Sequence, residues 1–206
     1  MATPSSQKPR SYDGDYMDDC RKAESAVQSF LTWNENITDV QDVREVKEYQ
    51  SKDIDFLTSY KAGPFGKLPL AIEAKADKHL GKTGNVLFEV FRAYLEVKAE
   101  SLLRTGWSWH SEADCFCMWG TSTRLLYVVP AYELRAGLQR ALVAERELKT
   151  SQVQTDKNTI TYLLLIPEKY VAFQVFSHDL DADAWSFVRT NTPGVLALPA
   201  PVEKAA

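Results

Sequence analysis

The chain has 206 residues, 45% of them apolar, and a formal net charge of −4. That size and apolar content suit one domain with a substantial core, and the acidic balance excludes a protein that coats nucleic acid through bulk positive charge. There is no N-terminal apolar signal segment and no run near the roughly 18 apolar residues of a membrane span, so a soluble cytoplasmic protein without a membrane partner is expected.

Residues 1–16 are rich in Ser, Pro, Lys and Asp, which predicts a disordered tail ahead of a single domain over 17–191. Asp18 and Asp19 then precede Ala23, Ala26, Val27, Phe30 and Leu31. This apolar stripe, at i, i+3, i+4, i+7 and i+8, predicts an amphipathic helix with acids at its positive end, and Glu24 is adjacent to the stripe. Strands are predicted over 43–49, 53–60 and 68–77, with Gly63-Pro64-Phe65-Gly66 as the turn between the last two. The β-branched and aromatic stretch 85–94 reads as a strand, with a helix through 96–103 as the alternative. Two short apolar runs, 115–119 and 124–129, surround Gly120-Thr121-Ser122 and predict a hairpin. Pro130 then opens a helix carrying Leu134, Leu138 and Leu142; 159–166 is a further strand, 167–176 is ambiguous, and the Pro-containing 192–206 forms a loose tail. Cys115 and Cys117 have C-x-C spacing with no second ligand pair nearby, so they read with Cys20 as thiols, not as a zinc site.

Charge is unevenly placed. Between Asp13 and Asp55 there are twelve acids against five bases, whereas between Lys61 and Arg92 there are six bases against three acids. Lys61, Lys67, Lys78 and Lys82 of the basic stretch are candidate phosphate contacts, although a solvated lysine face accounts for them equally well.

The chemistry is carried by two apolar segments, Lys52-Asp53-Ile54-Asp55-Phe56-Leu57 and Leu70-Ala71-Ile72-Glu73-Ala74-Lys75. Strand alternation puts Glu73 and Lys75 on one face and Ile72, Ala74 and Ala76 on the other. If the two segments pair, Asp55, Glu73 and Lys75 converge at one sheet edge, where two carboxylates can hold a hard cation. An acid-x-lysine alone is weak, since a chain of this length contains about one or two by chance. Glu45-Val46-Lys47, Glu96-Val97-Lys98 and Glu147-Leu148-Lys149 also match. Context removes them: Asp42 is too close to Glu45 for separate strands, Glu147 lies in a charged stretch that reads as a solvated helix end, and Asp77, the acid that would pair with Glu96 and Lys98, is followed by a polar, glycine-containing loop where a strand is needed.

The order helix, three strands, further strands, helix, with acids on the second and third strands, resembles the PD-(D/E)xK nuclease superfamily. The resemblance implies a restriction-endonuclease-like α/β core, a central mixed β-sheet flanked by helices. Asp55 matches the family's metal-binding aspartate, Glu73 and Lys75 its acid and lysine, and Glu24 the glutamate many members carry on the first helix. Lys52-Asp53-Ile54-Asp55 stands where the family has Pro-Asp, so Asp53 is the alternative ligand; Asp55 is chosen because an Ile-Asp-apolar-apolar strand is the commoner form. Thr83 to Glu89 and Gly106 to Asp114 are similar to segments of phage-type and Holliday-junction-resolvase-like members. Their plain readings are a turn before a strand, aromatic packing for Trp107 and Trp109, and a satisfied polar residue for His110.

The resemblance implies Mg²⁺, with Mn²⁺ as substitute, held by Asp55, Glu73 and the Ala74 carbonyl, with Lys75 and Glu24 completing the catalytic set. It implies a homodimeric endonuclease acting on branched or junction DNA. The alternatives are a site-specific endonuclease and a non-catalytic DNA-binding or partner-binding protein that keeps the fold.

Overall fold

The structure, a computed structural model, describes residues 10–11, 15–94, 102–145, 147–156 and 159–193. Its elements are β1 (Arg10–Ser11), α1 (Asp15–Trp33), β2 (Ile37–Asp42), α2 (Lys47–Gln50), β3 (Phe56–Lys61), β4 (Lys67–Ala76), β5 (Asn85–Tyr94) and β6 (Leu102–Thr105). There follow α3 (Trp107–His110), β7 (Cys115–Gly120), β8 (Leu125–Pro130), α4 (Ala131–Ala144), β9 (Lys149–Asp156), β10 (Thr159–Pro167), β11 (Phe173–Asp179) and β12 (Ala184–Asn191). Among the described residues, no helix is long and apolar enough to cross a membrane.

The strands form a seven-stranded mixed sheet, in the order β12-β11-β8-β7-β4-β3-β2, and a five-stranded sheet, β1-β9-β10-β5-β6. In the larger sheet β4 is antiparallel to β3 and parallel to β7. A parallel neighbour requires a crossover, and here it runs through β5, β6 and α3. The larger sheet is covered on both faces. On one side Ala23, Val27, Phe30 and Leu31 of α1 pack against Phe56, Ile72, Ala74, Cys115 and Cys117. On the other, Phe116, Met118 and Val129 meet Val86, Phe88 and Ile166 of the smaller sheet, Leu134 and Leu138 of α4, and Trp107. The chain is therefore mixed α/β, with a large central sheet and helices against it.

Helix α1 and the 7–8 hairpin follow the sequence expectations; the 3–4 hairpin forms, but β3 begins at Phe56, so Asp53 and Asp55, expected on the strand, lie in the turn before it, where Asp53 has φ +50°. Helix α1 starts at Asp15, before Met17, and Arg10–Ser11 pair in parallel with β9. The strand expected over 43–49 is absent. Val43, Val46 and Tyr49 recur every third residue, and the Tyr49 and Gln50 N–H groups both bond to the Val46 carbonyl, which makes a helical turn. The strand lies earlier, as β2, whose Thr38, Gln41 and Asp42 lack apolar alternation because β2 is an edge strand half open to water. Leu142, expected on the buried side of α4, is 58% exposed, and Ala141 takes the core position. The ambiguous 167–176 resolves into a 3-10 turn, Glu168–Tyr170, and the start of β11. Residues 1–9 and 194–206 of the expected tails, and Glu96 and Lys98 of the rival motif, lie outside the described residues.

Gly106, which leads into α3, packs directly on β5: a Cβ there would lie 2.3 Å from the Glu89 carbonyl oxygen. Backbone cannot yield as a side chain can, so Gly106→Ala should destabilise by about 1–3 kcal/mol. The measurement is urea unfolding, with a lower midpoint at unchanged slope expected; an unchanged midpoint would show that α3 is not seated this tightly.

Candidate metal centre

The 3–4 register pairs Phe56 with Ile72, so Asp55, just ahead of β3, stands level with Glu73. Two hydrogen bonds fix it there. The Asp55 N–H donates to the Ile72 carbonyl at 2.9 Å, and Asp55 Oδ2 accepts from the Ala74 N–H at 2.8 Å. Because N–H and C=O of one strand residue point to the same side, the Ala74 carbonyl faces the edge that Asp55 occupies.

Glu73 is level with Phe116 of β7 and is only 4% exposed. Its Oε1 is held by Lys75 Nζ, whereas Oε2 is buried without a hydrogen-bond partner. Burial pushes the Glu73 carboxyl up to about 8; the Lys75 charge opposes that shift, and the charge of Asp55 adds to it. Burial acts to lower the Lys75 ammonium, but the Glu73 charge and hydrogen bond outweigh it and hold Lys75 above its usual value, so it stays cationic. Lys75 Nζ also lies 5.2 Å from the centre of the Trp107 ring, a cation–π contact with a buried indole.

Asp55 and Glu73 border a cleft of about 670 Å³ that also takes in α1 and the segment 42–55. Six carboxylates line it, those of Glu24, Asp42, Glu45, Asp53, Asp55 and Glu73, against one guanidinium, Arg44. Arg44 donates to both oxygens of Asp42 and, at 2.5 Å, to Glu24 Oε2, and stands 5.3 Å from the Phe56 ring centre. The hydrogen bonds from Arg44 hold the Asp42 carboxyl below its usual value. Glu24 therefore reaches the cleft as expected, with one oxygen engaged by Arg44.

The structure brings Glu24, Asp55, Ala74, Glu73 and Lys75 together; the four lysines it disperses. Lys61 and Lys67 pair across the far end of the hairpin, about 20 Å along β4 from Glu73. There Lys61 Nζ donates to the Glu35 carbonyl and Lys67 meets Asp39 at 2.8 Å. Lys78 and Lys82 are exposed in the loop beyond the opposite end of β4. Trp107 is buried, whereas Trp109 is 44% exposed with its ring edge-on to Phe88. Sequence reasoning missed Arg44 and the contact of Asp53 Oδ2 with His110 Nε2, 2.5 Å apart. The available signal was compositional only, a single arginine flanked by acids.

Among the described residues no group of three or more His, Cys, Asp or Glu side chains is placed to hold a metal ion. What the cleft offers is the carboxyl groups of Asp55, just ahead of β3, and of Glu73 in β4, the latter with an orphaned buried oxygen. That donor set fits Mg²⁺, which binds through one or two carboxylates and retains waters. The chain matches no protein-family model, no curated protein and no solved structure.

A raised carboxyl favours the fold in its neutral form, so its contribution is fully present below the unfolded value near 4.3 and is lost as pH rises through about 8. The depressed Asp42 acts below this window. Thermal melts in EDTA should thus fall in midpoint between pH 5 and 9, and Glu73→Gln should flatten the curve and raise the midpoint at pH 9. A wild-type curve already flat across that range would contradict a neutral buried Glu73.

Proposed function

We propose that the protein is a metal-dependent DNA endonuclease of the PD-(D/E)xK type. The observation that carries the reading is the level placement of Asp55, just ahead of β3, with Glu73 of β4, beside the same-face Lys75 and with Glu73 Oε2 unpartnered. In this reading Asp55, Glu73 and the Ala74 carbonyl hold Mg²⁺, or Mn²⁺ in its place. When bound, such an ion lowers the pKa of a coordinated water and offsets charge that develops on the phosphoryl oxygens.

The chain's own residues supply the rest. Asp55 is preset by the Ala74 N–H, so binding costs it little rearrangement. Lys75, held between Glu73 and the Trp107 ring, orients the attacking water and adds positive charge where the phosphate becomes more negative. Glu24, steadied by Arg44, borders the same cleft from α1. The preferred substrate is branched or junction DNA and the active species a homodimer, with one site for each strand; both follow from the family resemblance.

Purified protein should nick four-way or flap DNA in Mg²⁺ and in Mn²⁺. It should bind without efficient cutting in Ca²⁺, whose looser oxygen geometry activates water less well. Asp55→Asn, Glu73→Gln and Lys75→Ala should each lower the rate by at least about a hundredfold, the loss of a few kcal/mol of transition-state stabilisation. Equal cleavage in EDTA would overturn the reading, and preference for one linear sequence over every branched form would make it a site-specific endonuclease.

DNA affinity should fall steeply with salt. Lys78→Ala and Lys82→Ala should each reduce the log–log slope by about one on all sequences. Lys61→Ala and Lys67→Ala should change it less, because both ammonium groups are already engaged and stand far from Glu73. A salt-insensitive affinity would point instead to a protein partner.

A further inference from the structure

We propose that His110 is a positioning residue of the acidic cleft: with Ser111 and Glu112 it holds the turn that delivers Asp55, and its ring keeps Asp53 at the cleft wall. Three consecutive residues grip two. The Glu112 N–H donates to the Lys52 carbonyl at 2.9 Å, Ser111 Oγ donates to the Asp53 carbonyl at 3.1 Å, and His110 Nε2 stands 2.5 Å from Asp53 Oδ2. The other ring nitrogen, Nδ1, is 3.0 Å from the Gly106 carbonyl, so the imidazole is fixed at both ends. The approach to Asp53 is a close polar contact without the alignment of a hydrogen bond.

The turn needs this grip. Asp53 has φ +50°, a left-handed conformation that costs a non-glycine residue of the order of 1 kcal/mol. Directly after it, Ile54 enters the core and its N–H bonds to the Tyr49 carbonyl, and the Asp55 N–H bonds to Ile72. A change at Asp53 is therefore passed within two residues to the carboxylate level with Glu73. Asp53 also borders the same cleft, and its charge acts on both Glu73 and Lys75.

The test uses the full chain, free of metal, as wild type, His110→Gln and His110→Asn. The Gln amide nitrogen reaches about as far as Nε2, whereas Asn reaches only to Nδ1 and keeps the Gly106 contact alone. The first readout is hydrogen exchange of the Ile54 and Asp55 amides, with Phe116 and Met118 of β7 as the reference. His110→Asn should speed exchange at 54 and 55 about tenfold with β7 unchanged, and His110→Gln should restore most of the protection. Wild-type protection in His110→Asn, equal acceleration in β7, or equal loss in Asn and Gln would each overturn the proposal.

The second readout, Mn²⁺ affinity by electron paramagnetic resonance, rests on the metal reading above. There His110→Asn should bind about tenfold more weakly, the usual scale for losing a group that orients a ligand. If the exchange results hold while wild-type protein binds no Mn²⁺, the positioning role stands and the metal reading falls.

Discussion

The hydrogen bond from the Ala74 N–H to Asp55 Oδ2 is the constraint on which the cleft depends. It joins the start of β3 to the middle of β4 one residue beyond the regular ladder, and so sets the reach between the Asp55 and Glu73 carboxylates. That geometry is inherited from the sheet. Because β4 lies between β3 and β7 with both ladders formed, a slip of one residue would turn Glu73 and Lys75 towards α1 and put Ile72 and Ala74 in their place. The apolar contacts of Ile72 and Ala74 with α1 resist such a slip, so the packing of one face holds the polar residues of the other in register.

The polar face is costly. Glu73 sits among core residues with one oxygen unpartnered, and an unmet buried acceptor costs of the order of 1–3 kcal/mol. Lys75 supplies a partner for Oε1 but not for Oε2. The crossover between the parallel strands β4 and β7 supplies the remaining support: it carries Trp107 to the Lys75 ammonium and His110 to Asp53. A simple hairpin could not join two parallel strands, so the topology that demands a long connection also brings the groups that steady the cleft.

How much was legible follows from this division of labour. Helix α1 and the two hairpins could be read because their stripes, alternation and turn residues are local. Asp55, Glu73 and Lys75 could be read with them, since alternation fixes their facing and hairpin pairing their level. The edge strand β2 could not, because its burial is half that of an interior strand and its polar residues break the pattern; the apolar Val43, Val46 and Tyr49 behind it then imitated a strand. Strand β9 was missed because Lys149-Thr150-Ser151-Gln152 carries little apolar signal, and β12, an edge strand, because its outer half is exposed and mostly polar. Arg44 and His110 were illegible in a different way. Their roles rest on contacts between segments far apart in sequence, as with Ser111 and Asp53, 58 positions apart.

The balance of charge in the cleft decides what it admits first. Six carboxylates border it, and the fixed cations at hand are Arg44, taken up by Glu24 and Asp42, and Lys75, taken up by Glu73. His110 stands against Asp53. Among the described residues Asp55 is held by the Ala74 N–H and by no ion pair, and Glu73 keeps one oxygen without a partner. A phosphodiester approaching this surface meets net negative charge and is repelled. A small divalent cation meets the Asp55 carboxylate and the unpartnered Glu73 oxygen, and its charge would offset part of the local negative field. A cleft of this composition thus favours a cation before a polyanion, which is the order that the proposed metal-dependent reading needs.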